Sequence, residues 1–105
     1  MNPTRRGTTP YITFTTTDNI DLSAVKTVWL SVKQNGSLVI DKTTSDLTIN
    51  NKSISIRLTQ EDTLALEKGV MAYIQIRLLT DTDLAYATDE EYMPIEDIIK
   101  DGVIV

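Results

Sequence analysis

The chain has no cysteine and no histidine. That removes disulfides, thiolate nucleophiles, imidazole bases and the usual zinc ligands together. Missing disulfides suit a reducing compartment. Six serines are present, but none lies in G-x-S-x-G and no imidazole is there to activate one. The four glycines, Gly7, Gly36, Gly69 and Gly102, stand too far apart to form a phosphate loop. No apolar run approaches the ~18 residues of a membrane span. Met1 to Pro10 lacks the apolar stretch of a signal peptide, so no secretion by that route is expected. These absences make enzyme activity, cofactor binding and membrane partners poor expectations.

What is present describes a folded domain. A length of 105 residues suits one core. Hydrophobic residues at 41% and charged ones at 24% place the chain among globular proteins. The net charge of −5 is unevenly spread: residues 1–52 hold six basic and four acidic side chains, residues 53–105 four and eleven. An acidic domain is a poor match to nucleic acid, because phosphate contacts need a basic face.

The organising stretch is Val70 to Thr80. Val70, Ala72, Ile74, Ile76 and Leu78 share one parity, and Tyr73, Gln75 and Arg77 the other. Period 2 over this length predicts a half-buried strand at the centre of a sheet, the longest in the chain. Before the core, Met1 to Pro10 is polar with two prolines, so residues 1–10 read as a flexible arm and 11–105 as the domain. Tyr11 to Thr16 and Thr27 to Lys33 alternate in the same way and predict strands. The parity of Thr27–Lys33 turns Val28, Leu30 and Val32 inward and Trp29 outward. Between them Thr17–Ala24 reads as a loop, with Ile20 and Leu22 as core plugs.

Asn35-Gly36 marks a hairpin to a strand over Ser37–Lys42. A two-residue loop with regular pairing sets Leu30 opposite Asp41. A three-residue loop sets Val32 opposite Leu38 and Leu30 opposite Ile40, which keeps the apolar face intact. The expectation is therefore a three-residue turn with Gly36 left-handed in a bulge. Leu47–Asn50 and Ser53–Leu58 predict a second hairpin, with Ile49 facing Ile54, Leu47 facing Ile56 and Asn51 left-handed in the turn.

Thr59–Lys68 switches to helical signals. Thr59 is placed to cap, Asp62 stands three residues on, and Glu61 and Asp62 occupy the first turn. Gly69 reads as the stop. Leu84–Thr88 predicts a last clear strand, and Pro94 confines Tyr92–Ile95 to an edge or a sheet end. About seven short strands and one short crossing helix predict an all-β, antiparallel, immunoglobulin-like sandwich. A small barrel is the alternative.

No catalytic or metal site stands out. Asp81 and Asp83 share one turn without the further ligands calcium needs. Asp89, Glu90, Glu91, Glu96, Asp97 and Asp101 crowd the C-terminal end and read as a solvated acidic face. The interface candidates are different residues. Trp29, Tyr11 and Tyr73 all fall on the outward parity, with Arg77 beside them, and Trp, Tyr and Arg dominate binding hot spots. Either these aromatics form a patch, or Trp29 is covered by a loop, the arm or the C-terminal tail. Arg5 and Arg6 are the only adjacent basic pair, and an arm laid on a neighbour's acidic end would satisfy both sets of charges.

Three stretches together carry a resemblance: Arg5-Arg6-Gly7-Thr8-Thr9-Pro10 leading to Phe14, Leu58-Thr59-Gln60-Glu61-Asp62-Thr63-Leu64, and Ile74-Gln75-Ile76-Arg77-Leu78-Leu79. In this order and spacing they resemble small proteins encoded among the tail and baseplate genes of phages and prophages of Gram-positive bacteria. The resemblance covers nearly the whole chain. It implies a structural or assembly role in a virion, with other tail proteins or a second copy as partner, and assembly in the host cytoplasm. It carries over no functional residue, and Tyr92-Met93-Pro94 and the acid-rich end depart from the pattern. The alternative is a free-standing binding domain for carbohydrate or a host surface, using Trp29 and the tyrosines.

Overall fold

The structure is a computed structural model that describes residues 1–16 and 20–105. The expected loop over Thr17–Ala24 therefore lies partly outside the described residues.

Strands β1 (Thr4–Arg5) and β2 (Tyr11–Thr15) open the chain, and a 3-10 turn at Leu22–Ala24 leads into β3 (Val25–Gln34). Next come β4 (Ser37–Thr43), a 3-10 turn at Thr44–Asp46, β5 (Thr48–Ile49) and β6 (Ser53–Arg57). Helix α1 (Gln60–Leu64) precedes β7 (Ala72–Thr80), β8 (Ala85–Ala87), β9 (Glu91–Met93) and β10 (Ile95–Glu96).

Two antiparallel sheets face each other. The smaller has the order β2-β6-β5; the larger has β4-β3-β7-β8, with β9 also paired to β7. A parallel ribbon of β1 and β10 stands apart from both. Neither sheet closes on itself, so this is an all-β sandwich and not a barrel. Among the described residues the strands number ten against the seven expected, because several are only two or three residues long.

Alternation builds the core as the periodicity predicts. Val28, Leu30 and Val32 of β3 and Ala72, Ile74, Ile76 and Leu78 of β7 are buried, facing Ile12, Ile54 and Ile56 of the smaller sheet. Phe14, on the inward parity of β2, and the expected plug Ile20 are only partly buried, whereas the plug Leu22 is fully buried. β7 is central, flanked by β3 on one side and by β8 and β9 on the other. It begins at Ala72, not Val70, and β3 is the longer strand.

The β3–β4 hairpin corrects the expected register. Val32 pairs with Ile40, Lys33 with Leu38 and Gln34 with Ser37, so the loop is the two residues Asn35-Gly36. Both have positive φ, 51° and 75°, the requirement of a type I′ turn. The apolar register is recovered by a bulge at Val39, in the register shift after Val32. Leu30 consequently stands opposite Lys42, not Ile40.

The second hairpin pairs Ile49 with Ile54 as expected, but Leu47 lies before the strand. Its turn needs no left-handed Asn51. Instead the Asn50 side chain accepts from the Lys52 and Ser53 backbone N–H groups. Helix α1 is shorter than the signals suggest. Its capping box forms as read, with Thr59 Oγ1 accepting from the Asp62 N–H and Asp62 from the Thr59 N–H. It stops at Leu64, however, so Gly69 is not its cap; Gly69 sits in the following turn with φ of 69°.

Candidate functional site

The outer face of the larger sheet is open to solvent on every strand, and cross-strand register decides what shares it. One row runs Thr43–Trp29–Arg77–Ala87. Below it Thr27, Leu79 and Ala85 align. At the other end the row is Leu38–Lys33–Tyr73–Tyr92. Three of the expected interface residues, Trp29, Tyr73 and Arg77, are thus brought onto one face.

Trp29 keeps 49% of its surface exposed, so no loop, arm or tail among the described residues covers it. The Arg77 guanidinium lies 5.5 Å from its ring centre, a cation–π contact between strand neighbours. A shallow recess of about 270 Å³ opens beside the ring, lined by Trp29, Thr27, Leu79 and Ala85 among others. At the far end Tyr73 and Tyr92 lie 6.1 Å apart between ring centres. Lys33 stands over Tyr73 and pairs with Glu90 at 2.7 Å. Tyr92 and Leu79 were missed as members of the face. Leu79 breaks the polar parity of β7, which was a readable signal; Tyr92 joins only through the pairing of β9 with β7.

Tyr11 lies elsewhere, on the outer face of the smaller sheet. There its hydroxyl donates to Ser55 Oγ at 2.9 Å and Arg57 stacks on its ring at 5.3 Å. The neighbours are Thr13, Thr15 and Ser53, so that face is built of small hydroxyl side chains with one aromatic at its end.

Arg5 and Arg6 correct the expectation of a free arm. β1 pairs in parallel with β10, Thr4 with Ile95 and Arg5 with Glu96. The Thr4 N–H donates to Pro94 O and the Arg6 N–H to Glu96 O. Arg5 pairs with Glu96 at 2.6 Å. Arg6 is more deeply held: it donates to Asp97 and Asp101 at 2.8 and 2.9 Å and to the carbonyls of Leu66 and Leu64. Leu64 is the last residue of the short helix and Leu66 lies just past it, where backbone acceptors lack a helical donor. The arm has no core of its own, yet it is pinned because its two cations find acids on the same chain. Of the acids expected to receive a neighbour's arm, Glu96, Asp97 and Asp101 are therefore occupied from within.

The Asp97 carboxyl is lowered to about 2, first by the backbone N–H of Ile98 and then by Arg6. The Arg6 guanidinium is raised, first by Asp97 and then by Asp101. The acidic end is divided: Glu90 goes to Lys33, and Glu96, Asp97 and Asp101 go to the arginines. Asp81 and Asp83 belong to a turn in which Asp83 has φ of 64° and donates its N–H to Thr80 O. Among the described residues no group of three or more carboxylates is placed to hold a metal.

No family model, no curated protein and no solved structure matches the chain.

Proposed function

We propose that the protein is a non-catalytic assembly module of a phage or prophage particle, a tail- or baseplate-associated component that binds through the outer face of its larger sheet. The observation that supports this is Trp29: a half-exposed tryptophan, stacked by Arg77, in an uncovered sheet face. Aromatic and arginine side chains at the middle of a flat surface are the usual anchors of a protein interface. The phage context comes from the three stretches that resemble tail and baseplate proteins.

A second reading, carbohydrate binding, is favoured by the recess beside Trp29. One experiment separates them. The light-scattering mass is measured over a range of concentrations, alone and with the structural proteins encoded beside it. The assembly reading expects a partner-dependent rise in mass that Trp29→Ala weakens at least ~tenfold in affinity, about 1.4 kcal/mol. A chain that stays monomeric in every mixture, and whose tryptophan emission titrates with glycans, belongs to the second reading.

A further inference from the structure

The chain has a net charge of −5, but the outer face of the larger sheet is charge-balanced. Its cations are Lys33 and Arg77, and its acids are Glu90 and Asp41. Lys33 and Glu90 neutralise each other at 2.7 Å, and at the rim Lys26 pairs with Asp83 at 4.0 Å. Among the described residues Arg77 and Asp41 join no ion pair, and both are exposed. The face thus keeps one free charge of each sign.

Register fixes where the two stand. Trp29 pairs with Arg77, and Ser31 pairs with Asp41 on one side and Gln75 on the other. Asp41 and Arg77 are therefore two strands and one row apart, about 12 Å across the face. Within one copy the Arg77 guanidinium rests over Trp29, 5.5 Å from its ring centre.

A two-fold axis lets such a pair of charges be satisfied twice. In a face-to-face dimer the axis lies in the plane of contact, and if residue i meets residue j, then j meets i. An axis midway between Asp41 and Arg77 sets Arg77 of each copy against Asp41 of the other. In regular register that line passes between Trp29 and Ser31, and further on between Tyr73 and Tyr92. The two tryptophans then meet beside the axis, and Tyr73 of one copy faces Tyr92 of the other. Stacked sheets lie about 10 Å apart, a gap that an arginine and an aspartate side chain span together. Aromatic anchors lie along the axis, as they do at the centre of stable interfaces.

We propose that the occupant of this face is a second copy of the chain, packed about a two-fold axis with two reciprocal Arg77–Asp41 pairs. This rests on the reading of the face as the binding surface and names what binds there. The balanced face lets two acidic chains meet without opposing like charges. The contact is isologous, so it closes at a dimer.

The test uses the full chain and two variants at exposed positions, Arg77→Asp and Asp41→Arg, each checked for folding by circular dichroism. Sedimentation from ~10 μM to ~1 mM is expected to take the natural chain from monomer to dimer and no further. Each variant alone opposes like charges at both pairs and is expected to weaken the dimer at least ~tenfold. Mixed together, each variant supplies the charge that the other has lost, so a heterodimer is expected. A chain carrying both substitutions is expected to dimerise again. A natural chain that stays monomeric, growth beyond the dimer, an unaffected single variant, or a mixture that forms no heterodimer overturns the proposal. The mass of the natural chain and of Trp29→Ala with the structural proteins encoded beside it is a separate readout. If the chain is monomeric alone but gains mass with those proteins, and Trp29→Ala abolishes the gain, the second copy is ruled out and the sheet-face reading stands. No association in any mixture removes both.

Discussion

Trp29 and Arg77 are direct cross-strand partners on β3 and β7, and the guanidinium lies 5.5 Å from the indole ring centre. Both have the outward parity of their strands, so the contact is made in water and adds little to folding. A cation–π pair at an exposed site contributes about 0.5–1 kcal/mol. Arg77→Ala is therefore expected to lower stability by no more than about 1 kcal/mol. It should shift the tryptophan emission, which comes from Trp29 alone because the chain has no other tryptophan. Denaturant unfolding and emission spectra check both. An unchanged emission maximum would mean the ring and the guanidinium are not in contact.

The ribbon of β1 and β10 should respond to pH. The Asp97 carboxyl is held at about 2, below its ordinary value, by the Ile98 N–H and by Arg6. A carboxyl lowered on folding stabilises the native state above its unfolded value and loses that contribution as pH falls towards its folded value. Stability from this group is thus complete above about pH 4–5 and declines progressively down to about pH 2. Asp97→Asn should remove that part of the acid dependence. Arg6→Ala should cost about 1–3 kcal/mol at neutral pH, since it strands the part-buried carbonyls of Leu64 and Leu66 and takes one partner each from Asp97 and Asp101. Arg5→Ala, at an exposed pair, should cost less than about 1 kcal/mol. Melting temperatures across pH check the order; equal losses from the two arginines would be inconsistent with this geometry.

Periodicity made the sandwich legible because burial acts on every second residue. Val28 to Val32 and Ala72 to Leu78 could be placed inward without knowing their partners. The capping box at Thr59 and Asp62 was legible because its geometry is local. Long-range pairing was not legible. Three residues of β-branched or charged character at the N-terminus carry no sign that Thr4 will pair with Ile95, ninety-one positions on. The β3–β4 register was missed because a bulge at Val39 restores the apolar face at no cost in loop geometry, and a bulge leaves no mark in composition. Gln34, which a three-residue turn places in the loop, is instead 4% exposed, and its amide bonds Glu67 N–H, Glu67 O and Val70 O, holding the turn before β7. The outward aromatics were legible by parity, and Tyr92 joined them only through a pairing across eighteen residues of chain.

Gly7 provides the sharpest check on the N-terminal ribbon, because two effects act there and only one acts at Gly36. Both glycines have φ of 75°, where any side chain is strained. Around Gly36 a Cβ would meet nothing within 4 Å, but at Gly7 it would lie 3.1 Å from Ile98 Cδ1 and 3.4 Å from Leu64 Cδ2. Gly36→Ala should cost roughly 1 kcal/mol through the backbone alone. Gly7→Ala should cost more, by roughly 1 kcal/mol or above, because the turn out of β1 must also push Ile98 aside. Ile98→Ala removes the obstructing methyl group. In the double variant the penalty of Gly7→Ala should fall towards that of Gly36→Ala, a coupling that a double-mutant cycle reads directly. Additive effects, or equal penalties at the two glycines, would mean that β1 does not lie against Ile98, and the arm would have to be placed elsewhere.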